Sequence, residues 1–200
     1  MTSIPAIETF AMHATTPRRI RGITLIETLF ALALVAILLA TAAPAFGTLI
    51  ARTASDGSRF GFVTALETAR ILAVSRSGHV VVCPSADQQY CGRTTEWQHG
   101  WIVFIDTDHD GTRGIEERIL SVAQAEPKGV AILGSAGRKR IDFRPDGSSP
   151  GSNATFTICD TRGAGNAQSI VINNAGRVRT GKPTPAAATA CAAVLAGASA

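Results

Sequence analysis

The sequence predicts an α+β protein in which one long N-terminal helix packs on an antiparallel β-sheet domain. Three observations support this fold class. The stretch from Leu29 to Ala43 contains no charged residue, and Thr41 is its only polar side chain. An amphipathic pattern with apolar residues at three- and four-residue steps follows it. After residue 78, short β-branched and aromatic runs alternate with Gly, Pro, Asn and Asp, as in a strand-rich domain.

The apolar stretch is long enough to cross a membrane. Residues 23–43 would form a helix of about 32 Å, which matches the hydrocarbon thickness of a bilayer. Arg18, Arg19 and Arg21 precede it and favour a cytoplasmic N-terminus, which places the remaining chain in the periplasm. A secretory signal peptide has its small residue after the apolar region, whereas Gly22 comes before it. The pattern therefore indicates a retained single-pass membrane anchor.

One acidic residue, Glu27, lies inside this span. A carboxylate in a membrane costs a few kcal/mol of insertion free energy, so such a residue normally has a partner or a function. Taken alone, Glu27 either reaches the nearby headgroups or awaits a partner.

Residues 21–27, Arg-Gly-Ile-Thr-Leu-Ile-Glu, resemble the processing site of type IV pilins and type II secretion pseudopilins. The resemblance implies a type IV pilin-like fold and cleavage by a prepilin peptidase after Gly22. It also implies methylation of the new terminus at Ile23, although the family usually has Phe there. In the family, the acid that corresponds to Glu27 attracts the terminal amine of a neighbouring subunit during assembly. Pro44 matches the family's helix kink, since proline removes one helical hydrogen bond.

The chain divides into four predicted parts. The expected weak point of the helix is the run Ser55–Ser58, which could kink it. The tail is expected to be largely disordered unless Cys191 is tethered. The parts are a leader (1–22, with 1–11 interpreted as a mis-called start before Met12), a helix (23–78, membrane-spanning to about 43), a β-rich periplasmic domain (79–182) and an Ala/Pro-rich tail (183–200).

Several segments of the β-rich part look like blocks of the GspH/FimT branch of this family. The blocks are residues 82–85, 100–106, 156–160 and 176–179, in the same order as in the branch. The predicted strands are 79–83, 100–106, 118–123, 130–133, 140–143, 154–160 and 169–173.

The four cysteines predict two disulfides. An even count behind a membrane anchor indicates an oxidising compartment, and no close cysteine pair typical of a zinc site occurs. We expect Cys83 to pair with Cys91 in a short loop, which leaves Cys159 and Cys191 as the second pair.

An acidic segment after the second predicted strand fits a calcium-loop pattern. Asp106, Asp108 and Asp110 alternate before Gly111, and Glu117 follows at the spacing of the final ligand. A strand-like run precedes the segment where an EF-hand has a helix, and Arg113 adds a positive charge. The alternative is an acidic turn between two strands, and no other cofactor is expected.

The charge of the β-rich part is uneven. Residues 83–127 carry a net charge of −5, and residues 128–182 carry +6. Arg177 and Arg179 alternate in Gly-Arg-Val-Arg, which puts both on one side of an extended chain. In FimT-like members such a motif is implicated in binding incoming DNA. The alternative is a solvated strand end. Candidate additional contacts are Lys182, Arg138, Lys139 and Arg140.

Enzyme function is not predicted. The sequence has no G-x-S-x-G or HExxH motif, and Gly163–Gly165 lacks the third glycine of a nucleotide loop. His79 and His99 are interpreted as ordinary strand and loop residues, and Trp97 and Trp101 as core or loop anchors. Two hypotheses remain: a minor type IV pilin that also binds double-stranded DNA in natural transformation, or a pseudopilin that acts only in type II protein secretion. Either would assemble with other pilins or pseudopilins.

Overall fold

The computed structural model describes residues 22–135 and 137–197. Its first element is a helix of 52 residues, α1 (Leu25–Arg76). The chain forms two compact units, residues 1–43 and 44–200. In the first unit, all described residues are exposed, and α1 is long and apolar enough to cross a membrane. The predicted apolar helix is thus confirmed.

The part of α1 in the second unit has one buried face. Its buried apolar residues are Phe62, Leu66, Ala69 and Ala73, at the three- and four-residue steps that the sequence predicts. Pro44 lies inside the helix, and the kink there stays a prediction.

α1 runs through Ser55–Ser58 without interruption, and a kink at this point stays a prediction. Ser55 and Ser58 are buried, and the Ser58 hydroxyl donates a hydrogen bond to the Glu126 carboxylate. Asp56 accepts a hydrogen bond of 2.8 Å from Gln168. Contacts with distant residues therefore engage polar side chains that would otherwise compete with the helical backbone.

Two four-stranded antiparallel sheets form the β-rich part. One has the order β3-β2-β1-β5 and the other β4-β6-β7-β8. The strands are β1 (His79–Pro84), β2 (Trp101–Asp106), β3 (Ile119–Ala123), β4 (Val130–Gly134), β5 (Ile141–Phe143), β6 (Ala154–Asp160), β7 (Gln168–Ile172) and β8 (Val178–Gly181).

An aromatic cluster joins α1 to both sheets. The Phe62 ring makes edge-to-face contacts with Trp97, Trp101 and Phe156, with centroid distances of 5.3, 4.9 and 4.8 Å. All four side chains are buried in the main core, so both tryptophans act as the predicted core anchors.

The chain ends its described part in a second helix, α2 (Pro185–Gly197). Residues 185–197 are thus helical, and Cys191 is bonded to Cys159, which is the condition under which the sequence did not predict a disordered tail. Thr184 Oγ1 accepts a hydrogen bond from the Ala187 backbone N–H, as an N-cap residue does. Ala188 and Cys191 are buried against Ala131 and Cys159 of the second sheet, which gives an alanine-rich helix the packing that its composition alone lacks.

Candidate functional site

The predicted processing site lies at the start of α1. Gly22 and Ile23 are exposed and precede the helix. Thr24 Oγ1 accepts a hydrogen bond of 3.3 Å from the Glu27 backbone N–H, so Thr24 caps the helix. Arg18, Arg19, Arg21 and the alternative start Met12 lie outside the described residues.

Glu27 occupies the first turn of α1, where the helix dipole favours a negative charge. Its side chain is exposed, and its carboxylate has no hydrogen bond or ion pair with any residue of the described ranges 22–135 and 137–197. The carboxylate is therefore accessible to a partner outside this chain.

The two motif arginines lie at the beginning of β8. Arg179 pairs with Val171 of β7, and Val178 packs towards the main core. Because side chains alternate along a strand, Arg179 points to the opposite, outer face, and Arg177 has the same parity. Both side chains are exposed, and neither forms an ion pair within the described part of the chain.

The turn before β8 fixes the position of Arg177. Asn173 Oδ1 accepts a hydrogen bond of 3.0 Å from the Arg177 backbone N–H. Gly176 has a φ of +72°, and a Cβ there would lie 2.1 Å from the Gly147 carbonyl oxygen. Only glycine allows the backbone at position 176 to lie this close to Gly147, so the turn holds Arg177 next to the loop that contains Gly147.

Lys182 does not join the arginine pair. It follows the last residue of β8 and lines a separate depression with Ala164, Pro185 and Thr189 beside α2. The five residue steps from Arg177 to Lys182 span roughly 17 Å of extended chain.

A second basic surface lines a cleft of about 380 Å³. The Arg138 guanidinium donates a hydrogen bond to the Gly151 carbonyl oxygen, while the exposed Lys139 has no polar partner among the described residues. The loop that contains Gly151 also contacts the turn before β8, because the Ser149 backbone N–H donates to the Asn174 carbonyl at 2.9 Å. The cleft and the arginine pair thus flank one loop.

Both expected disulfides are present. Cys83 bonds to Cys91, and Cys159 of β6 bonds to Cys191 of α2. The second bond tethers the tail to the outer face of the second sheet.

The acidic segment brings three of its four candidate ligands together. Asp106, Asp108 and Glu117 each offer an oxygen within 4.8 Å of the others. Asp110 is not part of this group; its carboxylate accepts a hydrogen bond of 2.5 Å from the Thr112 backbone N–H. Burial raises the pKa of Asp106, and the neighbouring carboxylates add to this effect.

The two histidines that were interpreted as ordinary residues contact carboxylates. His79 Nδ1 lies 3.1 Å from Asp142, and His99 Nε2 lies 3.6 Å from Glu96.

One buried ion pair was not predicted. Asp160 is 2 % exposed, and the Arg162 guanidinium donates two hydrogen bonds to it, of 2.9 and 2.7 Å. Burial acts to raise the pKa of Asp160, but the hydrogen bonds and charge of Arg162 outweigh it and hold that pKa below its usual value. The Asp-Thr-Arg spacing is the only sequence signal for this pair.

An apolar groove of about 560 Å³ lies along α1 in the second unit. Phe46, Leu49 and Ile50 line it and are each more than half exposed. Glu126 also lines the groove. Its burial raises the pKa of its carboxyl group, although the hydrogen bond from Ser58 acts in the opposite direction.

Two solved structures are similar to this chain. The type IV minor pilin FimU of Pseudomonas aeruginosa is 18 % identical, with a TM-score of 0.51 over 66 % of this chain and 87 % of that chain. The minor pseudopilin EpsH from the type 2 secretion system of Vibrio cholerae is 12 % identical, with a TM-score of 0.46 over 65 % of this chain and 98 % of that one. The first likeness shows a type IV pilin-like fold. A comparison with curated proteins found no significant match.

Family profiles cover most of the chain. The profile described as type II transport protein GspH matches residues 61–176, and the prokaryotic N-terminal methylation motif matches residues 17–43. The chain therefore belongs to the GspH family and is a pilin-like structural protein, a minor pilin or pseudopilin.

Proposed function

We propose that this protein is a minor filament subunit that is held in the bacterial inner membrane by α1, with its β-rich domain in the periplasm. The observation that carries this proposal is the apolar first part of α1, in which residues 22–50 are all exposed. A surface of this length and composition needs lipid before assembly and the helices of other subunits afterwards. Within the second unit, α1 also lines an apolar groove with Phe46 and Leu49.

Processing comes first in this proposal. A prepilin peptidase cleaves between Gly22 and Ile23 and methylates the new terminus, as the methylation motif over residues 17–43 suggests. Gly22→Glu should leave uncleaved precursor in the membrane, whereas Gly22→Ala, which keeps a small residue, should be processed. Intact-mass measurement of both variants tests this step, and a normal mature terminus in Gly22→Glu would contradict it.

Assembly then depends on Glu27. Its unpartnered carboxylate can receive the terminal amine of a neighbouring subunit. Glu27→Val should insert in the membrane and fail to enter filaments, while Glu27→Asp, which keeps the charge, should retain at least partial incorporation. Immunoblots of sheared filaments and membrane fractions measure both, and wild-type incorporation of Glu27→Val would refute the pairing.

We further propose that the domain binds double-stranded DNA through Arg177 and Arg179. Two exposed guanidinium groups without carboxylate partners, on one face of β8, favour this function over protein secretion alone. Guanidinium forks match phosphate oxygens, and phosphate contacts position DNA without reading its sequence. The described part of the chain has no free helix for a major groove, because α1 is committed to membrane and core and α2 is packed on a sheet.

The affinity should be weak and sensitive to salt. With two or three phosphates neutralised, including a contribution from Lys182 or from the basic cleft, log affinity should fall with log salt at a slope of about −2 to −3. Binding at physiological salt should be micromolar or weaker, and a filament that engages several subunits would compensate by multivalency.

The test is a titration of labelled duplex with the mature full chain in detergent at two salt concentrations. Arg177→Gln/Arg179→Gln should bind at least tenfold more weakly, with the salt slope reduced by about 2. Arg93→Gln/Arg118→Gln makes the same charge change at two exposed arginines and should bind as the wild type does. Equal affinities of the two double variants would refute the assignment and leave the secretion pseudopilin as the better account.

A further inference from the structure

The acidic loop, residues 106–117, connects the end of β2 to the segment before β3. It contains oxygen-bearing residues at the first, third, fifth and twelfth positions of a calcium-loop pattern. Gly111, at the sixth position, has a φ of +72°, as the sharp turn of such a loop requires. The loop thus has a backbone that can wrap around one ion.

A buried oxygen in this loop has no partner. Asp106 is 2 % exposed, and its Oδ2 accepts a hydrogen bond of 3.0 Å from the Gly111 backbone N–H. Its Oδ1 is also buried and has no hydrogen-bond partner among residues 22–135 and 137–197. A buried carboxylate oxygen without a donor is energetically costly, so the site favours a positive ligand at that atom.

The neighbouring carboxylates have free acceptor capacity as well. Glu117 Oε1 accepts hydrogen bonds from the backbone and hydroxyl of Thr107, whereas Oε2 accepts only one, of 2.9 Å, from the Gly114 N–H. Asp108 Oδ1 accepts one hydrogen bond of 3.2 Å from the Asp110 N–H. Because a carboxylate has about four acceptor positions, each group can still bind an ion while it keeps its loop contacts.

The nearby arginines do not neutralise this group. The Arg113 guanidinium donates to the carbonyl oxygens of Ile115 and Glu117. The Arg140 guanidinium lies against Gly111, where a Cβ would be 2.4 Å from its Cζ. Neither arginine forms an ion pair with a loop carboxylate within the described ranges.

We propose that the acidic loop binds one calcium ion through carboxylate oxygens of Asp106, Asp108 and Glu117. The side chain of Asp110 is exposed and can rotate to add a further oxygen ligand. Thr112 stands at the seventh position of the pattern, where the backbone carbonyl oxygen is the ligand. Calcium fits such a set better than magnesium, because it accepts more oxygens in a flexible geometry. Binding would fasten the end of β2 to the segment that leads into β3, the outermost strand of its sheet.

The test measures calcium binding directly. The mature full chain in detergent is stripped with a chelator and titrated with CaCl₂ in flow dialysis, and its thermal unfolding is recorded with calcium, with magnesium and with chelator. We expect one ion per chain with a Kd of about 0.1 to 1 mM, the range of extracellular calcium modules, and a higher Tm in calcium.

Two single variants make the test specific. Asp108→Asn alters an exposed ligand without disturbing the buried part of the loop and should bind calcium at least tenfold more weakly. Glu116→Gln makes the same charge change at an exposed residue outside the three-carboxylate group and should bind within twofold of wild type. No binding to wild type at 10 mM CaCl₂, equal affinity for magnesium, or wild-type affinity in Asp108→Asn would each overturn the proposal.

Discussion

Phe62 should carry a large share of the contact between α1 and the sheets, and Phe62→Ala tests this. Its ring is fully buried and touches three other buried aromatic rings at 4.8 to 5.3 Å. Truncation to Ala removes the apolar surface and leaves a cavity among rigid neighbours that cannot collapse into it. The lost burial of a Phe side chain and the cavity that it leaves together typically lower the free energy of unfolding by about 3 to 5 kcal/mol.

The upper part of that range is expected here, because three edge-to-face pairs are lost at once. A domain of this size has a total stability of about 5 to 15 kcal/mol, so the variant should lose roughly a third or more of it. At about 2 to 4 °C per kcal/mol, a loss of about 4 to 5 kcal/mol should lower the Tm by about 8 to 20 °C.

The fluorescence of the chain's two tryptophans reports this change directly, because both Trp97 and Trp101 touch Phe62. Denaturant titrations of the full chain in detergent would compare Phe62→Ala with Phe60→Ala. Phe60 is 60 % exposed and stacks on Arg59, so its truncation should cost well under 1 kcal/mol. Similar losses in the two variants, or a loss below 1 kcal/mol in Phe62→Ala, would refute the cluster as the main attachment of the helix.

Three further predictions follow from the domain. Cys159→Ser/Cys191→Ser removes a disulfide with a sequence separation of 32, so the free energy of unfolding should fall by about 4 kcal/mol. Limited proteolysis should then cut α2 first, and an uncleaved α2 would contradict this prediction. Gly176→Ala should destabilise the domain by more than about 1 kcal/mol in denaturant titration and weaken DNA binding. The reason is that the φ of +72° at Gly176 and its close backbone contact exclude a side chain. Unchanged stability would show that the turn is not constrained. The lowered pKa of Asp160 stabilises the fold above the pKa of the unfolded state, and this contribution is lost as pH falls through the folded pKa. Arg162→Ala should therefore cost about 2 to 3 kcal/mol at pH 7 and much less once the pH lies below the folded pKa of Asp160. A pH-independent difference in unfolding free energy would argue against the pair.

Local patterns were sufficient for most of the fold. The hydropathy and periodicity of residues 23–78 predicted α1 to within two residues at either end, because apolar spacing depends only on helix geometry. Each of the seven predicted strands overlaps an observed strand. The eighth, Val178–Gly181, was treated only as an extended segment around the arginine motif, since its arginine and its glycine give it little strand character.

The parts that were not predicted depend on contacts between distant residues. Alanine-rich composition indicated an irregular tail, yet α2 gains its order from packing on the second sheet and from the Cys159–Cys191 bond. Asp56 and Gln168 meet although they are 112 positions apart, and no periodicity encodes such a pair. At the arginine motif, alternation predicts that Arg177 and Arg179 share a side, but the position of Lys182 depends on where β8 ends.

The arrangement of strands in the second sheet also bears on solubility. The segment around Glu96 pairs with Leu133 and covers the outer side of β4, whereas β8 leaves a free edge on the other side. Such edges template strand pairing between copies of a protein. Arg179 places a charge in the middle of this edge, and a second copy that docked there would bring two such charges together. Arg179, which we assign to DNA binding, thus also opposes aggregation. Arg179→Val would leave an apolar edge strand that can pair with another copy, whereas Arg179→Gln would keep the edge polar.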